Sequence, residues 1–393
     1  LKIPDYSMVY GTNYQGSRIH PVDGMSVPVF NFGENGGATI TDLHIGGGGS
    51  AGVSAVIMGG QAQRLIGFNI LGWKGVGISV SVQNASSLRD VTVSGCGGDG
   101  VVVKTTSAFL DRVGSGGNKG HGFVLGNSEY MNGSGSLIAC DAEGNEGHGF
   151  YIIGGQWDLQ VYGEANKGDL IHVDGTQPYV TQVALSASAA TGATTLSVQS
   201  LPKILPEKSV IRFGDGTAAI VGGDASAGAT TISLFSPLEN AEANGAIASL
   251  APEDIHPSKL PTVRIRPGTH DGSIYLHACN FAFESGHMPI SGKITATSSA
   301  RMIGEAHVLT HKGNSRTWGG AGGSYALGAG LGWTTPITPV GLAHIASPLS
   351  DYPLTQSAWP QNIIKDNDAL GGVLVKLEGT WAYVQTLNGW TTT

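Results

Sequence analysis

The sequence predicts an all-β chain wound as a parallel β-helix, with a small β-domain inserted into it. Three observations predict this. Glycine makes up 62 of 393 residues, an imperfect repeat recurs about every two dozen residues, and stacking its copies brings hydrophobic side chains into columns at alternate positions. Charged residues are only 13%, fewer than a disordered chain carries, and the glycines keep no three-residue period, which excludes collagen. A net charge of −8 argues against a general nucleic-acid or anionic-membrane partner, although an acidic chain can still carry a local basic groove. No run of 18 apolar residues is present, so no membrane-inserted helix is expected. Leu1 opens no signal-peptide pattern and the chain starts in strand-like sequence, the expectation being a piece of a longer protein. Cys96, Cys140 and Cys279 form no CxxC and no even framework, which predicts free thiols.

Each repeat reads as an aliphatic strand, a glycine-rich turn, then glycine and two hydrophobic residues at alternate positions. The copies are FNILGWKGVGISV (68–80), VTVSGCGGDGVVV (91–103), VGSGGNKGHGFVL (113–125), DAEGNEGHGFYI (141–152) and VYGEANKGDLIHV (161–173), with a looser copy from Leu43 to Ala55. Aligned on the residue before the second strand they give Gly52, Gly77, Gly100, Gly122, Gly149 and Leu170, in steps of 25, 23, 22, 27 and 21 residues. Val53, Ile78, Val101, Phe123, Phe150 and Ile171 then share one column, and Ala55, Val80, Val103, Leu125, Ile152 and Val173 another; both should face inward. Ser54, Ser79, Val102, Val124, Tyr151 and His172, between them, should face outward. Asn118, Asn145 and Asn166 fall in register in the turn, where stacked amides can hydrogen-bond from coil to coil. The longest step requires extra loop, which GNSEYMNGSGS (126–136) supplies as a wall on one face.

The first block of coils spans residues 1–175. From 176 to 252 the pattern stops, and ATGATTLSV (190–198) is echoed by SAGATTISL (226–234), as in a small inserted, duplicated β-domain. Such an insert is either a spacer or a carbohydrate-binding wall. Coils resume at VRIRP (263–267) and SIYLHACNF (273–281), within a block spanning 253–335. Residues 336–393 read as a β-rich cap or trimerisation region, with Trp359, Trp381 and Trp390 in it, Trp318 and Trp333 just before it, and two strands joined by Glu378-Gly379.

The coil length, the asparagine ladder and the opening IPDYSMVYGT (3–12), SRIH (17–20) and PVFNFGENGGATITDLHI (28–45) resemble phage tailspike proteins and, more widely, the pectate-lyase-like right-handed parallel β-helix. The resemblance covers roughly residues 1–175 and 253–335. It implies a homotrimer on a viral tail, part of the virion, that binds and usually cleaves a bacterial surface polysaccharide (O-antigen or capsule) outside the cell. It carries over no catalytic residue, because no motif matches one. A glycan-binding adhesin without turnover and a purely structural spike are the alternatives.

Polar columns are where a β-helix would build a site. Asp99, His121, His148 and Asp169 fall on one line, while Glu143 stacks on Glu164 with Asp141 close by. Carboxylates on adjacent coils suit the short separation of a retaining glycosidase, and their repulsion can keep one protonated as the acid. Glu143, Glu164, Asp141 and Asp169 are therefore the expected catalytic set for an endo-acting hydrolase, with Tyr151, His172, His121, His148 and Tyr130 as substrate-binding residues. Alternatively, the same turn carboxylates, beside Lys119 and Lys167, only solubilise the coil. Polysaccharide cleavage by β-elimination would instead use His121, His148, Lys119, Tyr130, Tyr151 and His172; Glu305 and His307 form a further pair. Gly47–Gly52 and Gly95–Gly100 fit GxGxxG and 48–52 fits GxSxG, but none lies between a strand and a helix, as dinucleotide binding or a nucleophile elbow requires. No HExxH, EF-hand or phosphate-loop motif occurs, so neither a cofactor nor an obligatory metal is expected.

Overall fold

Alternation of buried and outward residues on short strands, punctuated by glycine turns, leaves the chain one way to pair every backbone group: coil upon coil. The computed structural model describes residues 1–302 except 13–15, 34–35, 82–84, 105, 127–132, 267–271, 284–287, 291–293 and 298. Beyond them it describes the strands Leu309–His311, Ile363–Lys365, Gly372–Leu377 and Thr380–Gln385. Tyr130, Glu305, His307, Trp318, Trp333, Trp359 and Trp390 lie outside the described residues.

The molecule is a right-handed parallel β-helix. One sheet stacks, in order, Met8–Tyr10, Thr39–Thr41, Arg64–Leu71, Ser87–Ser94, Ala108–Gly116, Ser134–Glu143, Gln156–Glu164, Thr262–Ile265, Asn280–Phe283 and Arg301–Met302. The second stacks Phe30–Asn31, Val56–Met58, Ile78–Ser81, Val101–Lys104, Phe123–Leu125, Phe150–Ile152, Ile171–Asp174, Ile274–His277 and Ile294–Ala296. All these pairings are parallel, as a coil that always returns by the same route requires. The inward column Ile78, Val101, Phe123, Phe150, Ile171 and Ile274 is fully buried, and Phe123 stacks on Phe150 at 4.7 Å. Each such side chain contributes about 1.5–3 kcal/mol by leaving water.

The first coil departs from the sequence reading. Val56, not Val53, pairs with Ile78; Met58, not Ala55, pairs with Val80; and Ile57, not Ser54, holds the outward place beside Ser79. The cause is turn length. Seven positions separate Leu71 from Ile78, Ser94 from Val101, Gly116 from Phe123, Glu143 from Phe150 and Glu164 from Ile171, whereas ten separate Gly46 from Val56. Gly47, Gly48, Gly49 and Gly52, all at positive φ, accommodate the extra three residues.

Two side-chain ladders tie the turns. Cys96 N–H donates to Asn118 Oδ1 (2.9 Å), Asn118 N–H to Asn145 Oδ1 (3.1 Å) and Asn145 N–H to Asn166 Oδ1 (3.2 Å), as the register of the asparagines implied. The second, on the far side of the same turn, runs through Asp99, His121, His148 and Asp169 and forms part of the site. A corner in the first sheet puts one left-handed residue in each of five coils: Asp42, Gly67, Asp90, Arg112 and Ala139. Arg112 donates to Asp90 on the neighbouring coil through Nε (2.6 Å) and Nη2 (3.0 Å), which secures two residues whose backbone conformation is otherwise unfavourable.

Between Asp174 and Thr262 the chain leaves the coil. Antiparallel strands Gln182–Ala184, Val210–Phe213, Ala218–Ile220 and Ile247–Ser249 form one small sheet, and Thr195–Ser197 pairs with Thr231–Ser233, strands taken from the two duplicated segments. This segment has its own core, from Tyr179 to Leu260, which also covers Ala278 of the next coil. The three cysteines are buried free thiols; burial pushes Cys96 and Cys140 up to about 12, out of the reactive range. Farther on, Gly372–Leu377 and Thr380–Gln385 pair antiparallel, with Ile363–Lys365 alongside. Among the described residues no helix is long and apolar enough to cross a membrane.

Candidate functional site

The outward column of the second sheet changes character along the stack. It begins with Ile57, Ser79, Val102 and Val124, the last two almost covered, and continues as Tyr151, His172 and Tyr275. The turn before each strand brings His121, His148 and Asp169 to the same surface. The result is an array of half-buried rings: His121 stacks on His148 (5.1 Å between centroids), His148 on His172 (4.0 Å) and His172 on Tyr275 (4.6 Å). Tyr151 leans over His121 (4.7 Å), His148 (5.6 Å) and His172 (5.5 Å).

Hydrogen bonds fix this array from coil to coil. His121 N–H donates to Asp99 Oδ1 (2.7 Å), His148 N–H to His121 Nδ1 (2.9 Å) and Asp169 N–H to His148 Nδ1 (2.9 Å). His172 Nδ1 lies 2.8 Å from Asp169 Oδ2, with both side chains about three-quarters buried. A carboxylate only accepts, so that nitrogen carries a proton, and in the neutral ring the lone pair of His172 is on Nε2. Asp174 accepts from Thr176 N–H (3.0 Å), Thr176 Oγ1 (2.6 Å) and Gln177 Nε2 (2.7 Å).

Electrostatics follow the burial. Burial, then the neighbouring His172 and His121, push His148 down to about 4 against the opposing pull of Asp169. Burial also lowers His121, against the attraction of Asp99. Burial, then the Asp174 charge, raise the phenols of Tyr151 and Tyr275, so both stay protonated at neutral pH. Burial acts to raise Asp174, but hydrogen bonds from Gln177 and Thr176 and the facing His277 bring it below the usual carboxylate range. His148, Asp169 and His172 each offer a ligand atom within 4.8 Å of the others, a spacing a metal ion can use. Both Nδ1 atoms are already engaged, by the Asp169 amide and the Asp169 carboxylate, so the trio reads first as a hydrogen-bonded proton-transfer array.

The four expected catalytic carboxylates do not meet in one place. Glu143 and Glu164 are register partners on the first sheet, both exposed, with Glu164 accepting from Tyr162 Oη (2.6 Å). Asp141 shares their sheet face; burial, then the Glu143 charge, raise its carboxyl. Asp169 sits instead in the histidine cluster on the second sheet. Of the expected binding residues, Tyr151, His172, His121 and His148 come together around it. Lys167 pairs with Glu146 (3.4 Å) and with neither Glu143 nor Glu164. Sequence reasoning missed Asp174, Tyr275 and His277. Their signal was present: SIYLH (273–277) aligns on LIHVD (170–174), but the insert separates the two coils. A separate cavity of about 700 Å³ near Lys2, Asp5, Ile57 and Ser81 opens at the N-terminal end of the stack and holds no comparable acid–base cluster.

No known family model matches the chain, and no curated protein matches it either. Among solved structures, the A-module of mannuronan C-5 epimerase AlgE4 from Azotobacter vinelandii aligns with a TM-score of 0.44 and 10% identity, covering 81% of this chain and 76% of that one. The AlgE6 A-module from the same organism aligns with a TM-score of 0.36 and 11% identity, over 80% of each chain.

Proposed function

We propose that this chain binds an extended polysaccharide across the outer face of its second sheet and cleaves it by proton transfer, with His172 as general base and Tyr151 as general acid. One observation carries the reading: Asp169 holds the His172 ring at 2.8 Å with its Nε2 lone pair available, beside a phenol that burial keeps protonated. A base and an acid on adjacent coils fit β-elimination. His172 Nε2 removes the proton α to an electron-withdrawing group, the C–H electron pair becomes the new C=C bond, and the glycosidic C–O bond breaks. Tyr151 gives its proton to the departing oxygen. Asp169 stabilises the imidazolium that forms. Rings stacked along the coil axis also offer a sugar chain a surface for apolar contact with a few placed polar groups.

Hydrolysis, which the sequence placed slightly ahead, is the second reading. Its support is the in-register Glu143 and Glu164 with the raised carboxyl of Asp141 on the same face. Incubation with neutral and uronate-containing bacterial polysaccharides separates the readings. Shortened chains with new absorbance near 235 nm support elimination; shortened chains with new reducing ends and no absorbance support hydrolysis. Binding without shortening supports an adhesin. A homotrimer on a viral tail remains a proposal that follows from the sequence resemblance.

A further inference from the structure

Two imidazoles in the cluster are left unused by this proton transfer, and the backbone dictates their state. Nδ1 of His121 accepts the amide of His148, and Nδ1 of His148 accepts the amide of Asp169, both at 2.9 Å. A nitrogen that accepts an amide N–H has no proton of its own, so a neutral ring in either place carries its hydrogen on Nε2. Protonating either Nδ1 would set two N–H groups against each other and break a bond between coils. The rings are parallel to within 2° and 5.1 Å apart, so the two Nε2–H bonds belong to adjacent coils and share an orientation. Their described neighbours in the cluster are phenols, imidazoles and carboxylates, so a bound anion would be met by the two Nε2–H groups and the phenol O–H of Tyr151.

We propose that His121 and His148 form a paired, uncharged N–H donor site that holds the carboxylate of an acidic sugar residue next to His172. A carboxylate has two oxygens and a full charge, so it can accept one charge-assisted bond from each ring, whereas a neutral hydroxyl in the same place accepts only weaker bonds. In the elimination reading the seated carboxylate is the electron-withdrawing group, and donors aimed at it stabilise the charge that develops as the proton leaves. The paired donors follow from the ladder alone; only the identity of the ligand as a sugar rests on the function proposed above. The fixed tautomers make His121 and His148 specificity-determining residues.

The ladder itself supplies the control substitution. Asp99 and Asp169 occupy the same column as the two histidines, and Asp99 accepts the next coil's amide through its carboxylate, so aspartate at 121 or 148 retains the coil-to-coil bond while removing the donor. Two measurements on the full chain test the proposal. Long-range ¹⁵N–¹H spectra of histidine-labelled protein should show the proton on Nε2 in His121 and His148 and on Nδ1 in His172. Protons on Nδ1 of His121 or His148 would overturn the assignment. Calorimetric titration of a His172→Ala background, in which elimination should be slowed by roughly 10²–10⁴-fold, with a uronic-acid oligosaccharide and with its carboxyl-reduced counterpart should show at least a tenfold preference for the acid. His121→Asp and His148→Asp should each abolish that preference while leaving the melting temperature near that of the background protein. Equal affinity for the two oligosaccharides, binding of neither, or a preference that survives both substitutions sinks the donor site. Loss of turnover in His172→Ala bears on the function proposed above and not on this site. An acid preference in a wild-type protein that cleaves nothing leaves the donor site standing and makes the protein an adhesin.

Discussion

At the scale of single residues, the histidine cluster and the first-sheet carboxylates make opposite demands on mutagenesis. His172→Ala removes the base, and Tyr151→Phe removes the acid while leaving the ring in place. Each should lower turnover by roughly 10²–10⁴-fold with little change in melting temperature. Asp169→Asn keeps the amide that donates to His148 but loses the carboxylate that orients His172, so turnover should fall while the ladder stays intact. Glu143→Gln and Glu164→Gln, both exposed, should leave turnover near normal; if they abolish it and His172→Ala does not, the hydrolytic reading replaces the eliminative one. The cluster also predicts a pH dependence of stability. Folding lowers His148 from the ordinary imidazole value of 6.5 to about 4, chiefly through burial, with His172 and His121 adding to it and Asp169 opposing. Between those values the unfolded chain binds a proton that the folded one refuses, so stability falls as pH drops from about 6.5 towards 4 and the loss levels off below that. The lowered His121 acts in the same direction. His148→Asn should flatten this part of the profile, because its amide oxygen can still accept the Asp169 N–H. Melting temperatures of both proteins from pH 8 to pH 4 check it, and parallel profiles would refute it.

At the scale of the coil, the ladders predict where the fold is most sensitive. Asn145 is fully buried and donates through Nδ2 to Ser115 O (3.0 Å) and Asn166 Oδ1 (2.9 Å), while its own Oδ1 accepts from the backbone and side chain of Asn118. Asn145→Ala strands several of these groups away from water and should cost roughly 3 kcal/mol in chemical denaturation. Glu146→Ala, next to it but exposed and with its carboxylate paired with Lys167 at the surface, should cost about half a kcal/mol or less. The contrast between neighbours distinguishes a ladder from mere turn polarity. Much of this was legible in the sequence, because period-2 alternation and a constant seven-residue turn put Ile78, Val101, Phe123, Phe150 and Ile171 in register without any knowledge of contacts. The first copy was misplaced because glycines at 47–49 lengthen its turn, and a glycine run has no side-chain pattern to align. The corner residues Asp42, Gly67, Asp90, Arg112 and Ala139 recur at 25, 23, 22 and 27 residues, the same steps as the repeat, yet share no residue type; only their backbone conformation unites them. The site divided in the same way. Stacking in one column was readable for His121 and His148, but nothing in the spacing showed that Asp169 turns towards His172 and away from Glu164.

At the scale of the whole molecule, two questions concern what surrounds the coils. A trimer should elute at about three times 40.3 kDa in light-scattering chromatography, and a monomer would remove the tail-protein proposal while leaving the fold untouched. The inserted segment offers the sharper test. Its core is built from its own residues between Tyr179 and Leu260, with Ala278, among the described residues, contributed from the coils. Its two ends meet: a Cβ added to Gly175 would lie 2.5 Å from Cδ of Pro261, and Tyr179 Oη donates to the carbonyl of Lys259. The coil on either side is continuous without it, since Gln156–Leu159 pairs directly with Thr262–Ile265 and Ile171–Asp174 with Ile274–His277. Replacing residues 177–260 by a two-residue Gly-Ser link should therefore leave a soluble β-helix with an unchanged β-type circular dichroism spectrum. Stability should fall modestly, because Ala278 is uncovered and Asp174 loses the Gln177 donor while keeping Thr176. The consequence for the site is the informative part. Asp174 roots the insert and also acts electrostatically on Tyr151 and Tyr275, so a glycan bound along those rings passes beside the place where the insert leaves the coil. If the insert is a wall of the binding face, its removal should weaken oligosaccharide binding at least tenfold while the chemistry of short substrates persists. If it is a spacer, affinity should be unchanged. An insoluble deletion variant would mean that the coils need the insert's cover over Ala278, and that the β-helix and its insert fold as one unit.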